Sequence, residues 1–378
     1  MSAAQPTLPT DAVAAPDAPH VLVETRRNLG IVTLNRPKAL NALSLAMLRD
    51  ITAALLAWRD DAAIAAVLLR GHSEPGRTVA FCAGGDIRYF HLAALAGDPT
   101  LEDFFTEEYQ LNHLIHHYPK PVVGLMDGLV MGGGMGITQG ARLRVVTERS
   151  QLAMPETQIG LFPDVGGGHF LSRCPGAVGE YLALTGQSIG AADAIGWGLA
   201  DAYIPSDQLP ALVESLGDQP MSNAAQVQAA VMARAQPLPA PKLAVYRAAI
   251  DRHFFQPSVL GIVQSLETDK SDWAAGTLAA LRKRSPLMLA VTLEQIRRAR
   301  SMSLPDDLRM ERDLVRHCFH FRGVEGSDTV EGIRALVIDK DHRPRWGDAS
   351  IEHVDPADVA AFFRSPWPAH AHPLRGLG

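Results

Sequence analysis

Cysteine is scarce in this 378-residue chain: Cys82, Cys174 and Cys318 stand alone and far apart. They form no metal-type spacing and no disulfide framework, so buried free thiols in a reducing compartment are expected. Excess positive charge is also missing. The formal net charge is −6, which provides no basic footprint for nucleic acid and no polybasic membrane patch. It does not exclude an anionic ligand in a locally basic pocket. No apolar run approaches the roughly 18–20 residues of a membrane span. The first nineteen residues, MSAAQPTLPTDAVAAPDAP, contain no Lys or Arg and two Asp. A secretory signal starts basic and continues apolar, and a transit peptide is rich in Arg. The stretch fits neither, and a disordered leader (residues 1–19) on a cytoplasmic protein is expected.

What is present is core-forming material. Hydrophobic residues make up 47% and charged residues 20%, enough for a sizeable core. From about His20 to Ile204, strand-like and helix-like patterns alternate. HVLVETRRNLGIVTLNRP reads as a hairpin turning at Asn28-Leu29-Gly30. ALSLAMLRDITAALLAWRD has helical spacing, with Ser44 as its start. IAAVLLRG, KPVVGLMDG and LRVVTERSQLAM supply short apolar strands. This alternation predicts an α/β core over 20–204. The region 205–378 reads as mainly helical. It holds an Ala- and Gln-rich stretch, a proline-rich QPLPAPK hinge, and SPLMLAVTLEQIRRARSM with Ser285 before Pro286 as a helix start.

Three stretches carry chemistry. In VAFCAGGDIRYF, a strand end meets Ala83-Gly84-Gly85, and Asp86 is placed to cap a helix over Ile87 and beyond. In GLVMGGGMGITQG, the strand VVGLM feeds Gly132, Gly133 and Gly134 at a helix start, where backbone N–H groups lack intrahelical partners. The stretch has no Gly-Lys-Ser/Thr ending, so it is not a phosphate-cradling P-loop. One donor from each turn would make a two-point oxyanion hole for a thioester carbonyl. In AMPETQIGLFPDVGGGHF, Glu156 and Asp164 flank an apolar run beside three glycines. Each stretch also has a plain structural reading: a tight turn, close helix–sheet packing, or a helix-start acid.

Taken together and in this order, FCAGGDI, MGGGMGI and AMPETQIGLFPDVGGGHFL resemble the crotonase superfamily of acyl-coenzyme A enzymes, and within it most nearly the 3-hydroxyisobutyryl-CoA hydrolase branch. TLNRPKALNALS, FFTEEYQLNHLI and EGIRALVIDKDHRPRW fit as well, so the resemblance covers nearly the whole chain after the leader. It implies an α/β fold, a crotonase-like spiral of ββα units with two sheets, followed by a helical C-terminal region. It also implies an acyl-CoA substrate, no metal or redox cofactor, no nucleic-acid or membrane partner, and a homo-oligomer such as a trimer or a pair of trimers.

Carried over residue by residue, the family's oxyanion-hole amides fall on Gly85 and Gly133. Its two hydration acids fall on Gly136, where the acid is missing, and on Glu156, where it is present. Hydration works best with two carboxylates on one water, so hydratase activity is put in doubt. The hydrolase branch instead pairs the acids that match Glu156 and Asp164, with Glu108 of EEY touching substrate. The resemblance implies that Glu156 either attacks the thioester carbon or activates a water, while Asp164 orients that water or the substrate hydroxyl. Ala83, Asp86 and Ile87 complete the expected substrate-binding set, with Arg36 and Lys38, like Arg88, as candidates for the coenzyme's phosphates. His113, His116 and His117 lack acidic co-ligands in a zinc pattern, and a polar helix face is expected. Two competing readings are an enoyl-CoA hydratase or isomerase and a non-catalytic acyl-CoA-binding protein.

Overall fold

The computed structural model describes residues 18–218, 223–238 and 240–378. Most of the expected leader therefore lies outside the described residues. The described residues open with β1 (Val21–Arg26) antiparallel to β2 (Leu29–Leu34). The hairpin turns at Arg27-Asn28, not at Asn28-Leu29-Gly30, because Leu29 and Gly30 already pair with Arg26 and Thr25. Gly30 serves packing rather than the turn. A Cβ there would lie 2.6 Å from the ring of Trp58.

A repeated unit follows. Each unit sends one strand into a large sheet and the next into a small one. The large sheet gains β3 (Ala66–Gly71), β5 (Val122–Met126), β7 (Leu143–Val146) and the short β9 (Ala202–Tyr203), all parallel, in the order β1-β2-β3-β5-β7-β9. The small sheet collects β4 (Ala80–Cys82), β6 (Leu129–Met131) and β8 (Gln151–Ala153), also parallel. The sequence reading missed β6. The strand VVGLM does not run directly into the triple glycine: Gly128, at φ +79°, turns the chain into the small sheet first.

Helices fill the intervals. They are α1 (Leu45–Arg59), α2 (Ile87–Ala96), α3 (Thr100–His116), α4 (Gly133–Gln139), α5 (Gly167–Leu171), α6 (Val178–Thr185) and α7 (Ala191–Gly196). Local chemistry starts several of them. Ser44 accepts the Met47 amide ahead of α1, and Asp86 accepts the Tyr89 amide ahead of α2.

From β2 to β7 both faces of the large sheet are covered, which is why these strands read as largely apolar runs, whereas the edge strand β1 is exposed beyond Val21. Val32, Val67, Leu69 and Met126 face the main core with α1 and α3. Ile31, Leu68, Val123 and Val145 face the other way, against α8 (Leu209–Asp218) and α9 (Ala224–Met232). These two helices belong to the region read as C-terminal, yet they seal the outer face of the sheet.

The remaining helices are α10 (Arg247–Phe254), α11 (Val259–Thr268), α12 (Asp272–Leu281), α13 (Pro286–Ala299), α14 (Leu304–His320), α15 (Asp328–Ile333) and α16 (Pro356–Phe362). Ser285 caps α13 through the Met288 amide. α13 packs on α5 and α6, α14 on α3, and α15 on α2, so the helical region is built onto the core rather than tethered to it.

Candidate active site

The two glycine turns lie side by side at the C-terminal ends of β4 and β6. After β4, the Leu43 amide donates to Gly84 O at 2.8 Å and the Asp86 amide to Leu43 O at 2.9 Å. This bridge leaves the Gly85 amide outside it. After β6, Gly132 has φ +49° and ψ −118°, a backbone shape suited to glycine. The Gly133 amide that follows belongs to the first turn of α4 and has no intrahelical acceptor. The turns are in contact. A Cβ on Gly133 would lie 3.5 Å from the Gly85 nitrogen, and one on Gly84 would lie 3.7 Å from the Gly133 nitrogen.

Three acids converge on this pair. β8 ends at Ala153, and Met154-Pro155 lead into a short 3-10 turn, Glu156–Ile159. The Glu156 carboxyl is pressed against Gly132, so that a Cβ there would lie 2.7 Å from Oε1. Glu108 comes from α3, and its Oε1 would be 2.5 Å from a Cβ on Gly133. Asp164 follows the 3-10 turn and accepts the Tyr109 hydroxyl at 2.8 Å. Glu108, Asp164 and Glu156 are only 2%, 5% and 7% exposed. Glu108 Oε1 and Glu156 Oε2 have no protein partner, which leaves hydrogen-bonding capacity for a ligand.

These groups line one cavity of about 380 Å³, together with Ala83, Ile87, Phe90, Phe105 and Met131. No Lys, Arg or His among the described residues lines it. Burial without a cation raises all three carboxyl pKa values. Glu108 is held well above the ordinary range by burial, then by Asp164 and Glu156. Glu156 is also well above it, by burial and then Asp164. Asp164 is pushed up to about 7 by burial, against the Tyr109 hydrogen bond. A larger cavity of about 450 Å³ lies between α11, α13 and α16. It holds none of these acids, and we place the candidate site in the smaller one.

Of the expected residues, Ala83, Gly85, Ile87, Glu108, Gly133, Glu156 and Asp164 meet in this cavity, whereas Asp86, Arg36 and Lys38 do not line it. Asp86 caps α2 and pairs with Arg36 at 2.8 Å. Arg36 also donates to Ala42 O, so these two groups hold the turn from behind. Lys38 is exposed. Arg88 donates to Val337 O at 3.1 Å. That bond ties α2 to the π-helical turn Arg334–Ile338, whose Leu336 closes part of the cavity wall. Phe162 is fully buried in the core, and His169 lines a separate cavity with His116. Among the described residues, no group of three His, Cys, Asp or Glu is arranged to hold a metal ion.

Position 136 has no space for a side chain. A Cβ on Gly136 would lie 2.6 Å from Cβ of Val165 and 3.0 Å from Nδ2 of Asn112. A carboxylate cannot stand there without displacing the residue that follows Asp164. Sequence reasoning missed Val165 and Tyr109. Tyr109 was readable as the aromatic of EEY, but its partner was not. Nothing local marks Val165.

Comparison with known proteins agrees with this architecture. The enoyl-CoA hydratase/isomerase family model spans residues 29–363. The chain belongs to the enoyl-CoA hydratase/isomerase family. Curated relatives of this family member include 3-hydroxyisobutyryl-CoA hydrolase, mitochondrial, of Gallus gallus, 39% identical and covering 92% of this chain and 89% of that protein. The Xenopus tropicalis protein of the same name is 41% identical, covering 89% and 86%. The word mitochondrial in those names does not bear out the cytoplasmic expectation. Two solved structures are similar across the family member's length. One is a carnitinyl-CoA dehydratase from Mycobacterium thermoresistibile, with TM-score 0.84, 39% identity, and coverage of 94% of this chain and 99% of that one. The other is an enoyl-CoA hydratase from Rhodobacter sphaeroides, with TM-score 0.82, 39% identity, and coverage of 92% and 98%. No helix among the described residues is long and apolar enough to cross a membrane.

Proposed function

We propose that this chain hydrolyses a short 3-hydroxyacyl-CoA thioester, with 3-hydroxyisobutyryl-CoA as the leading substrate, to the free hydroxy acid and coenzyme A. One observation carries the reading. Glu156 and Asp164 share a buried cavity with the two glycine turns, while position 136 has no room for a second hydration acid. The names of the relatives at 39% and 41% identity support the same substrate.

In this reading the Gly85 and Gly133 amides receive the thioester oxygen as it becomes an oxyanion. Losing one such donor typically costs about 3–4 kcal/mol of barrier. Glu156 reaches the carbonyl carbon. Two routes satisfy the geometry: direct attack to a mixed anhydride that water then opens, or removal of a proton from an attacking water. On either route a C–O bond forms, the C–S bond breaks, and the sulfur leaves as a thiolate that takes up a proton. Three carboxyls buried together cannot all be charged at neutral pH. In this reading Glu108, which burial and then both neighbours push up, holds a proton, while Glu156 and Asp164 act as carboxylates beside the thioester, the water and the substrate hydroxyl. The chemistry as proposed uses no metal or redox group.

The test is a panel of short 3-hydroxyacyl, enoyl and plain acyl thioesters followed by free thiol release. Thiol release from the 3-hydroxyacyl esters supports the reading. Loss of enoyl absorbance without thiol release overturns it in favour of a hydratase or isomerase, the reading favoured by the names of the two solved structures.

A further inference from the structure

Asp164 lies on a loop held in an unfavourable shape. Val165 has φ +57° and Gly166 φ +82°. A β-branched residue rarely enters the left-handed region, and such strain persists only where the surroundings over-determine it. Here the surroundings come from the C-terminal helices. Glu311 on α14 is fully buried. Its Oε2 accepts the Gly166 amide at 2.7 Å and its Oε1 the Gly168 amide at 2.9 Å. Gln295 on α13, also fully buried, has one donor nitrogen with two partners. Nε2 donates to Pro163 O at 2.7 Å and to Glu311 Oε1 at 3.1 Å. One turn before Glu311, Asp307 accepts the His169 amide at 2.7 Å. The residue just before Asp164 and the second residue after it are thus gripped by one Gln–Glu pair.

We propose that Glu311 and Gln295 are positioning residues that aim the Asp164 carboxyl at the reacting centre, which makes the C-terminal helices part of the active site. The proposal rests on the role given to Asp164 above. A buried acid with no cation beside it is costly, and the fold alone could fill this space with apolar side chains. The carboxylate matches the loop because both of its oxygens meet amide donors. A Gln at position 311 would match only one of them and turn its own NH₂ toward the other.

The test uses the full chain with Glu311→Gln, Gln295→Met and, as reference, Asp164→Asn. Thiol release from 3-hydroxyisobutyryl-CoA gives kcat and KM, and thermal unfolding gives the folded fraction. Per folded molecule, kcat is expected to fall roughly tenfold to a hundredfold in each positioning variant. KM should stay within about twofold, because most of the cavity wall comes from elements other than this loop. A role in folding alone would lower Tm without changing kcat per folded molecule. Unchanged kcat in whichever variant folds overturns the proposal, as does the failure of both to fold. Should Asp164→Asn keep full kcat, the role of Asp164 falls first. With Asp164→Asn inactive and the other two at wild-type kcat, only the positioning role falls.

Discussion

The Tyr109 hydroxyl donates to Oδ2 of Asp164 at 2.8 Å, joining helix α3 to the loop beyond the 3-10 turn. This bond favours the charged form of Asp164, whose carboxyl is nevertheless pushed up to about 7 by burial. Replacing Tyr109 with Phe leaves burial in place and removes the donor, so the carboxyl is expected to titrate about one unit higher. The acid limb of the kcat–pH curve should move upward by that amount. The rate near about pH 6.5 should fall several-fold, with little change on the alkaline plateau. Steady-state thiol release across the pH range checks this.

Glu156→Gln keeps the shape of the side chain and removes its reactive oxygen anion. Hydrolysis is expected to drop by about 10²–10⁴-fold. Acyl-CoA affinity by calorimetry should stay near the wild-type value. Loss of binding together with activity would point to a structural role for this residue.

Asp164 also makes a stability prediction with a definite sign. Its pKa rises from the ordinary 3.8 to about 7 in the fold, so the folded chain holds this proton more tightly than the unfolded chain. That contribution to stability is complete below about pH 4 and is lost as pH rises through about 7. Asn resembles the protonated acid and can still accept from Tyr109. Asp164→Asn is therefore expected to melt several degrees higher than wild type at about pH 8, with the gap closing near about pH 4. Thermal unfolding at the two pH values measures it.

Gly136→Ala tests the space beside Val165. The added Cβ would sit 2.6 Å from Cβ of Val165. Overpacking of this kind costs typically about 1–3 kcal/mol and would push the loop that carries Asp164. Lower Tm together with lower kcat is expected. Gly136→Glu should show both effects more strongly and gain no hydratase activity, read as loss of enoyl absorbance.

Much of the site was legible residue by residue. The glycine turns, the Asp86 cap, Ser44 and Ser285 as helix starts, and the acids at 108, 156 and 164 all carry local signals. Lone cations were the hardest to read. As a lone cation Arg36 reads as available for phosphate and Asp86 as a substrate contact, yet in the fold the two pair with each other. A side chain's charge is visible in a sequence, whereas the partner that satisfies it depends on which segments the fold brings together.

Local signals in the chain account for the alternation of short apolar strands with helices, the places where backbone amides are left exposed, and the presence of acids in apolar surroundings. These follow from periodicity, capping and side-chain volume, which act over a few residues. It takes the packed fold to bring Glu108, Glu156 and Asp164 into one cavity, to set Val165 in the space beside Gly136, and to reach Glu311 back 145 residues to the loop of Asp164. Those relations arise from packing between distant segments, where close approach and the satisfaction of buried polar groups choose the partner.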